Sequence, residues 1–83
     1  MSIEKIDKPV RVLVDCSNGQ MVPLRFLMGE RTYRIEQING RWIDRAGDGE
    51  KLHFSVQVGN ETYYLHFDMA GRQWWLDQVV LEG

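Results

Sequence analysis

Apolar and polar residues alternate along most of the chain with a period of two. Near the start, Val10, Val12 and Val14 share one face, and Arg11, Leu13 and Asp15 share the other. Neighbouring side chains in a β-strand project to opposite faces, so this alternation indicates half-buried strands rather than helices. It recurs around residues 22–26, 52–58 and 61–67. The chain is therefore predicted to be all-β.

Turn residues separate these segments. Asn18-Gly19 is typical of a type I′ hairpin turn, which needs positive φ at both central residues. Gly59-Asn60 predicts a second two-residue turn. Pro23 has no N–H group to donate, so its strand is expected to be an edge strand or to be bulged there.

The segment from residue 31 to residue 44 changes phase. Tyr33 and Ile35 share one parity, whereas Ile38 and Trp42 share the other. A long strand with a β-bulge or sharp bend between Ile35 and Ile38 would reconcile them. The alternative is a full hairpin turn at Asn39 and its following glycine.

About six short strands with turns between them predict a single antiparallel meander over residues 1–83. A small sheet hides its edges by curling, so we expect an open barrel of SH3-like size. A two-layer β arrangement is the alternative. Residues 1–8 are expected to be a flexible N-terminus, and residues 45–51 a loop.

Two adjacent tryptophans, Trp74 and Trp75, cannot both point inward in one strand. A four-residue loop over residues 68–71 would pair Leu65 with Trp74 and place Trp74 in the core. A slip by one residue would instead bury Trp75 together with Asp77, and an unpaired buried carboxylate is costly. Trp74 is thus predicted to be buried and Trp75 to face outward.

The end of the same strand leaves a choice open. Val79 and Val80 are adjacent and both apolar. A terminal β-bulge could turn either of them inward.

The predicted register places a polar and aromatic cluster on the outward face. The cluster is expected to contain Trp75, Tyr64 and Ser55 in one row and His53, His66 and Gln73 in the next. Tryptophan and tyrosine are enriched at binding hot spots, so the cluster is a candidate platform for a partner. The alternatives are that the long first or third strand covers this face, or that the rings only stabilise the sheet across strands.

The two histidines also raise the question of a metal. His53 and His66 are predicted to be directly opposed, which brings their Cβ atoms within about 4.5–5.5 Å. Zinc in proteins usually has three or four protein ligands. No cysteine lies near them, and no carboxylate is expected in the adjoining row. We therefore predict no metal and no cofactor.

Composition and charge narrow the function classes. The 83 residues carry a net charge of −2, and 43% of them are hydrophobic, which is typical of one folded domain. Binding to nucleic acid grows with the number of phosphates that a basic surface neutralises, so this charge does not favour it. Five arginines could still form a local basic rim: Arg31, Arg34, Arg41, Arg45 and Arg72.

Other features indicate a cytoplasmic protein of bacterial type without membrane partners. The chain has one cysteine, Cys16, and no apolar run long enough to span a bilayer. The residues before Val10 lack the apolar core of a signal peptide. Cys16 lies beside a hairpin turn and is expected to be a partly buried, inert thiol.

Motifs of catalysis are missing from the sequence, so no catalytic residue and no enzyme are predicted. There is no nucleophile elbow, no phosphate-binding glycine loop and no metalloprotease helix. The "GDGE" stretch at residues 47–50 lacks the length and spacing of a calcium-binding loop.

A set of packing and turn residues extends over most of the chain, namely Pro9, Val10, Val12, Pro23, Phe26, Gly29, Tyr33, Ile35, Trp42, Asp68, Trp74, Leu76 and Val79. In these residues the chain resembles a family of small bacterial β-domains of unknown function. Some members of that family are found near Y-family polymerase-like proteins. The resemblance implies an accessory role in DNA repair and supplies no catalytic residues.

The sequence therefore predicts a small non-enzymatic interaction domain that binds a protein partner through its outward aromatic face. A nucleic-acid-binding accessory domain linked to DNA repair is the alternative. The domain is expected to be a monomer or a weak homodimer.

Overall fold

The computed structural model describes residues 1–45, 47 and 49–82, and they form an all-β domain. Strands account for all of the regular structure, which confirms the predicted fold class. The described residues form seven strands rather than about six: β1 (Ser2–Asp15), β2 (Val22–Met28), β3 (Arg31–Arg34), β4 (Gln37–Asp44), β5 (Lys51–Val58), β6 (Glu61–Asp68) and β7 (Gln73–Leu81). The described part of the chain contains no helix that could cross a membrane.

The strands form one antiparallel sheet in the order β3-β2-β1-β7-β6-β5-β4. The first and last strands of the chain are paired at the centre of the sheet, so its two edges are β3 and β4, which follow each other in sequence. Their connection donates backbone hydrogen bonds in both directions, from Ile35 N to Leu24 O and from Glu36 N to Gln57 O. The sheet is thereby curled into a half-barrel.

The core lies on the concave face of this half-barrel. Phe26 of β2 lies 5.1 Å from Tyr63 of β6 and 5.0 Å from Tyr33 of β3, measured between ring centroids. Because β1 and β7 separate β2 from β6 within the sheet, the first contact exists only if the sheet curls. The buried apolar residues are Val10, Phe26, Leu52, Phe54, Val56, Tyr63, Leu65, Trp74, Leu76 and Val79.

Trp74 is 8% exposed, which confirms that it belongs to the core, although the predicted register was wrong. Trp74 pairs with Phe67 rather than with Leu65, because residues 69–72 form the loop. The difference amounts to two residues along β6. Since the side-chain period is also two, the assignment of faces survives the error.

The segment of residues 31–44 is two strands and not one long bent strand. The chain leaves β3 at Arg34 and enters β4 at Gln37, so the predicted sharp bend becomes a crossing from one sheet edge to the other. Asn39 and Gly40 lie within β4, at an irregularity in its pairing with β5, and do not form a hairpin turn.

Two further expectations about the first strands need correction. Residues 2–8 belong to β1, where Ser2 to Lys5 pair with β7, instead of forming a separate flexible N-terminus. The β1–β2 hairpin has the loop 16–21 and not a type I′ turn, since Gly19 has positive φ and Asn18 does not. Of the two alternatives expected at Pro23, the bulge is observed, because the β1–β2 register shifts between Leu13 and Val14, the partner of Pro23.

Candidate functional site

Four rings lie side by side across four neighbouring strands on the convex face. Trp42 of β4 pairs with His53 of β5, His53 with His66 of β6, and His66 with Trp75 of β7. Pro9 of β1 is the next partner, beyond Trp75. These residues lie in line because each one is directly opposite the next on the neighbouring strand, without a register shift at this level. We call Trp42, His53, His66 and Trp75 the ring row.

The rings contact one another along the row. The Trp42 and His53 centroids are 5.3 Å apart with nearly parallel planes, at 4°. The two imidazoles are 5.2 Å apart, and His66 and Trp75 are 6.3 Å apart at 13°. Aromatic pairs at such distances contribute about 0.5–1.5 kcal/mol beyond the area that they bury. The row is therefore a continuous surface with a tryptophan at each end.

Solvent reaches the ring row. Trp42 is 45% exposed, and Trp75 is half-buried. β1 is hydrogen-bonded beside β7, and β4 beside β5, so both strands lie in the sheet and not over the row. Among the described residues, the expected alternative of a covering strand is thus not found.

A carboxylate accompanies the histidines, contrary to the prediction. Asp77 is the extra residue of a β-bulge, because Leu76 pairs with Leu65 and Gln78 with the preceding residue of β6. Its Oδ1 and Oδ2 atoms lie 2.8 and 3.0 Å from His66 Nδ1. Since a carboxylate only accepts, His66 donates the hydrogen bond from Nδ1–H.

His53 faces a carboxylate through each of its ring nitrogens. Its Nδ1 lies 3.9 Å from Asp77 Oδ2, and its Nε2 lies 3.9 Å from Asp44 Oδ2. Burial lowers the pKa of His53, and the neighbouring His66 lowers it further, whereas Asp77 and Asp44 act in the opposite direction. The neutral imidazole is favoured because its surroundings solvate the charged form poorly.

The predicted site residues divide into three rows. Trp75, His66 and His53 are brought together in the ring row. Tyr64 and Ser55 pair with each other in the neighbouring row. Gln73 lies on the other side of the ring row, opposite Asp68, and its amide donates to Trp74 O at 2.8 Å. Tyr64 is thus beside Gln78 and not beside Trp75 as predicted.

Sequence reasoning missed Trp42 and Asp77. The phase change before β4 left open which face of the sheet Trp42 occupies. The β4–β5 register of the structure decides this, because it pairs Trp42 with His53. The bulge that turns Asp77 toward His66 had one signal, the adjacent valines Val79 and Val80. Val79 is buried and Val80 half-buried, so a shift of phase before them is required.

The five arginines do not form a rim around the ring row. Arg31 lies over the ring of Tyr33 and Arg41 over the ring of Phe54, both of them core-side rings. Arg45 pairs with Glu50 at 3.0 Å. The other two are Arg34, on the edge strand β3, and Arg72, in the loop before β7.

Two further expectations concern the burial of Cys16 and calcium binding at residues 47–50. Cys16 is exposed, in contrast to the predicted partly buried thiol, because it opens the long β1–β2 loop. Ala46 and Asp48 lie outside the described residues. The prediction that residues 47–50 do not bind calcium therefore falls partly outside them.

Comparison with known proteins shows one partial similarity and no family. No model of a known family matches the chain, and no solved structure does. The chain is similar to the microtubule-associated protein TORTIFOLIA1 of Arabidopsis thaliana, at 34% identity over 58 residues. The matched residues are 70% of this chain and 7% of the plant protein, so the chain spans a small part of that protein. The resemblance to the bacterial β-domain family stays a prediction.

Proposed function

We propose that the chain is a non-enzymatic interaction domain that binds a protein partner through the ring row. The observation that carries this proposal is the exposure of Trp42, at 45%, at the end of a continuous line of rings. Tryptophan supplies much of the binding energy in protein interfaces when a partner covers it. A partner that covers the row would bury both tryptophans without rearranging the sheet.

The charges beside the row favour a protein partner over nucleic acid. Asp77 contacts His66, and Asp44 faces His53, so carboxylates adjoin the rings that bases would have to stack on. Phosphates are repelled by such groups, and the net charge of −2 adds no general attraction. A polar rim with charged groups around aromatic rings is typical of protein interfaces.

The proposal of a non-enzymatic role is supported by the shape of the described surface. The ring row lies on a convex face, whereas catalytic sites are usually concave. A groove of about 610 Å³ does lie along β1 and β2. It is lined by Lys8, Pro9, Val10, Arg11, Leu27, Met28, Gly29 and Gln73, which include no histidine, cysteine or carboxylate for acid–base or nucleophilic chemistry.

The similarity to a plant microtubule-associated protein suggests one defined partner to try. Assembled microtubules can be mixed with the domain and sedimented, and the bound fraction measured. We further propose that the protein is cytoplasmic. We also propose that it is a monomer or a weak dimer, and analytical ultracentrifugation over a range of concentrations tests this oligomeric state.

The test of the ring row compares three proteins in affinity capture from cell extract and in microtubule sedimentation. They are the wild type, the Trp42→Ala/Trp75→Ala double variant and the Leu13→Ala control. Leu13 is 50% exposed on β1, so the control removes an exposed apolar side chain outside the ring row. We expect a partner that the wild type and the control bind and the double variant loses. Identical binding by all three proteins would contradict the proposal.

A second candidate function, binding to nucleic acid, has one observation in its favour away from the ring row. Arg25 and Arg34 are directly opposed on β2 and β3, and both are exposed. Like charges in this position destabilise a sheet, and an anion between them would relieve the repulsion. The test is single-stranded DNA binding by fluorescence anisotropy at several salt concentrations. Binding that falls steeply with salt and is lost in Arg25→Ala/Arg34→Ala would support this candidate over the protein partner.

A further inference from the structure

We propose that His53, His66 and Asp77 form a binding site for a divalent transition-metal ion, with Zn²⁺ as its representative. Each side chain offers one ligand atom, and these atoms all lie within 4.8 Å of one another. The three residues belong to the neighbouring strands β5, β6 and β7, so the sheet itself fixes their spacing. The site goes beyond partner binding and does not depend on it.

The distances are close to those that a metal requires. At metal–ligand bonds of 2.0–2.1 Å in a tetrahedron, two ligand atoms are about 3.3 Å apart. Asp77 Oδ2 lies 3.0 Å from His66 Nδ1 and 3.9 Å from His53 Nδ1. These separations bracket the required one, and small rotations of the side chains would equalise them. Binding at His66 Nδ1 replaces the hydrogen bond to Asp77 and moves the imidazole proton to Nε2.

The surroundings of His53 add an independent argument. A histidine that binds a metal usually donates its other N–H to a carboxylate, which fixes the ring and its tautomer. His53 Nδ1 faces Asp77, while Nε2 faces Asp44 Oδ2 at 3.9 Å. Asp44 is therefore in the position of that outer carboxylate. The proton on Nε2 would leave Nδ1 free to bind.

The ligand set also indicates which metals fit. Two imidazoles and one carboxylate suit Zn²⁺, Ni²⁺ and Cu²⁺, whereas Ca²⁺ and Mg²⁺ prefer sites made of oxygen atoms. The ring stacking of Trp42 on His53 and of Trp75 on His66 holds both imidazoles in place. The side chains of the three ligands are 15–27% exposed, so a water molecule can complete the coordination sphere.

The experiment titrates untagged protein with Zn²⁺ in competition with a chromophoric chelator, and with Ca²⁺ as a comparison. Variants are Asp77→Asn, His53→Gln and the control Asp15→Asn, which removes the same charge from the β1–β2 hairpin. Losing an outer-shell partner already lowers metal affinity about 10- to 100-fold, so we expect Asp77→Asn and His53→Gln to lose about tenfold or more. The wild type and Asp15→Asn should bind one Zn²⁺ per chain with equal affinity.

Two further measurements keep the result independent of folding defects. The chain has two histidines, so long-range ¹H–¹⁵N spectra report directly on both imidazoles. We expect Zn²⁺ to shift the Nδ1 resonances of His53 and His66 in the wild type and to raise its melting temperature. Zn²⁺ affinity that is unchanged in both variants, histidine spectra that do not respond to Zn²⁺, or equal affinity for Ca²⁺ would overturn the proposal. None of these measurements requires a protein partner, so a failure here leaves the proposed function standing.

Discussion

The adjacent tryptophans allow the register of β7 to be tested by two matched substitutions. Trp74→Ala and Trp75→Ala remove the same atoms from neighbouring positions of one strand. Trp74 is 8% exposed, and its ring lies 5.5 Å from Phe54 and 5.2 Å from Phe67. Trp75 is half-buried on the convex face and stacks on His66. The two variants should therefore differ in stability although each replaces a tryptophan by alanine.

The magnitude follows from the area that each side chain buries. A large aromatic side chain buries up to about 250 Å², which at about 25 cal/mol per Å² corresponds to an upper bound near 6 kcal/mol. Alanine retains part of this area, so we expect Trp74→Ala to lower the free energy of unfolding by about 3–5 kcal/mol. Trp75→Ala loses one ring contact at a solvated surface, and we expect about 1 kcal/mol.

Urea unfolding followed by far-UV circular dichroism measures both values. A domain of this size is expected to have only about 4–12 kcal/mol of stability, so Trp74→Ala could unfold it completely. Trp74→Phe then serves as the milder variant, and it should still cost more than Trp75→Phe. Equal costs for the two positions, or a larger cost at Trp75, would refute the assignment of faces.

Two other predictions concern the hairpin of β5 and β6. Burial, together with the charge of Glu61, raises the pKa of Tyr63 to about 12. Because the folded pKa exceeds the unfolded value of about 10, the stability that Tyr63 contributes is complete below pH 10 and is lost as the pH rises toward 12. Tyr63→Phe should therefore weaken the alkaline fall in unfolding free energy, whereas an unchanged slope would argue against a buried phenol. Gly59 has a φ of 60° in the turn between these strands, and a Cβ there would meet nothing within 4 Å. Gly59→Ala should thus cost about 1–2 kcal/mol from the backbone alone in the same urea assay, and Asn60→Ala, at a residue without positive φ, should cost less.

The sequence sufficed for the fold class and for the faces of β5, β6 and the first half of β7, up to Leu76. Alternation over β5 and β6, with the short turn at Gly59, defines their register completely, so His53 was correctly placed opposite His66. Such a hairpin involves only neighbouring residues. The pairing of β1 with β7 joins the two ends of the chain, and no local pattern encodes which distant strands meet.

The candidate site was predictable in part for the same reason. His53, His66 and Trp75 follow from alternation, which depends only on parity. Trp42 required the register across the loop before β5, and Asp77 required an irregularity in the pairing of β6 with β7. A bulge of one residue leaves no mark in the composition of a strand. Its position depends on which side chains the folded core buries.

The bulge at Asp77 connects the core to the candidate site. In an unbroken strand Asp77 and Val79 would share the convex face, because they are two residues apart. The extra residue lets Asp77 and Gln78 both face outward and returns Val79 to the core, where it is 4% exposed. β1 also pairs irregularly with β7 at this level, between Lys5 and Lys8, so both neighbours of β7 accommodate the same bulge. Burial of Val79 accounts for the existence of a bulge in this strand. It does not account for an aspartate as the inserted residue, since any polar side chain would serve at a convex surface. A carboxylate at this position accepts the hydrogen bond of His66, and in the proposed metal site it would supply the third ligand.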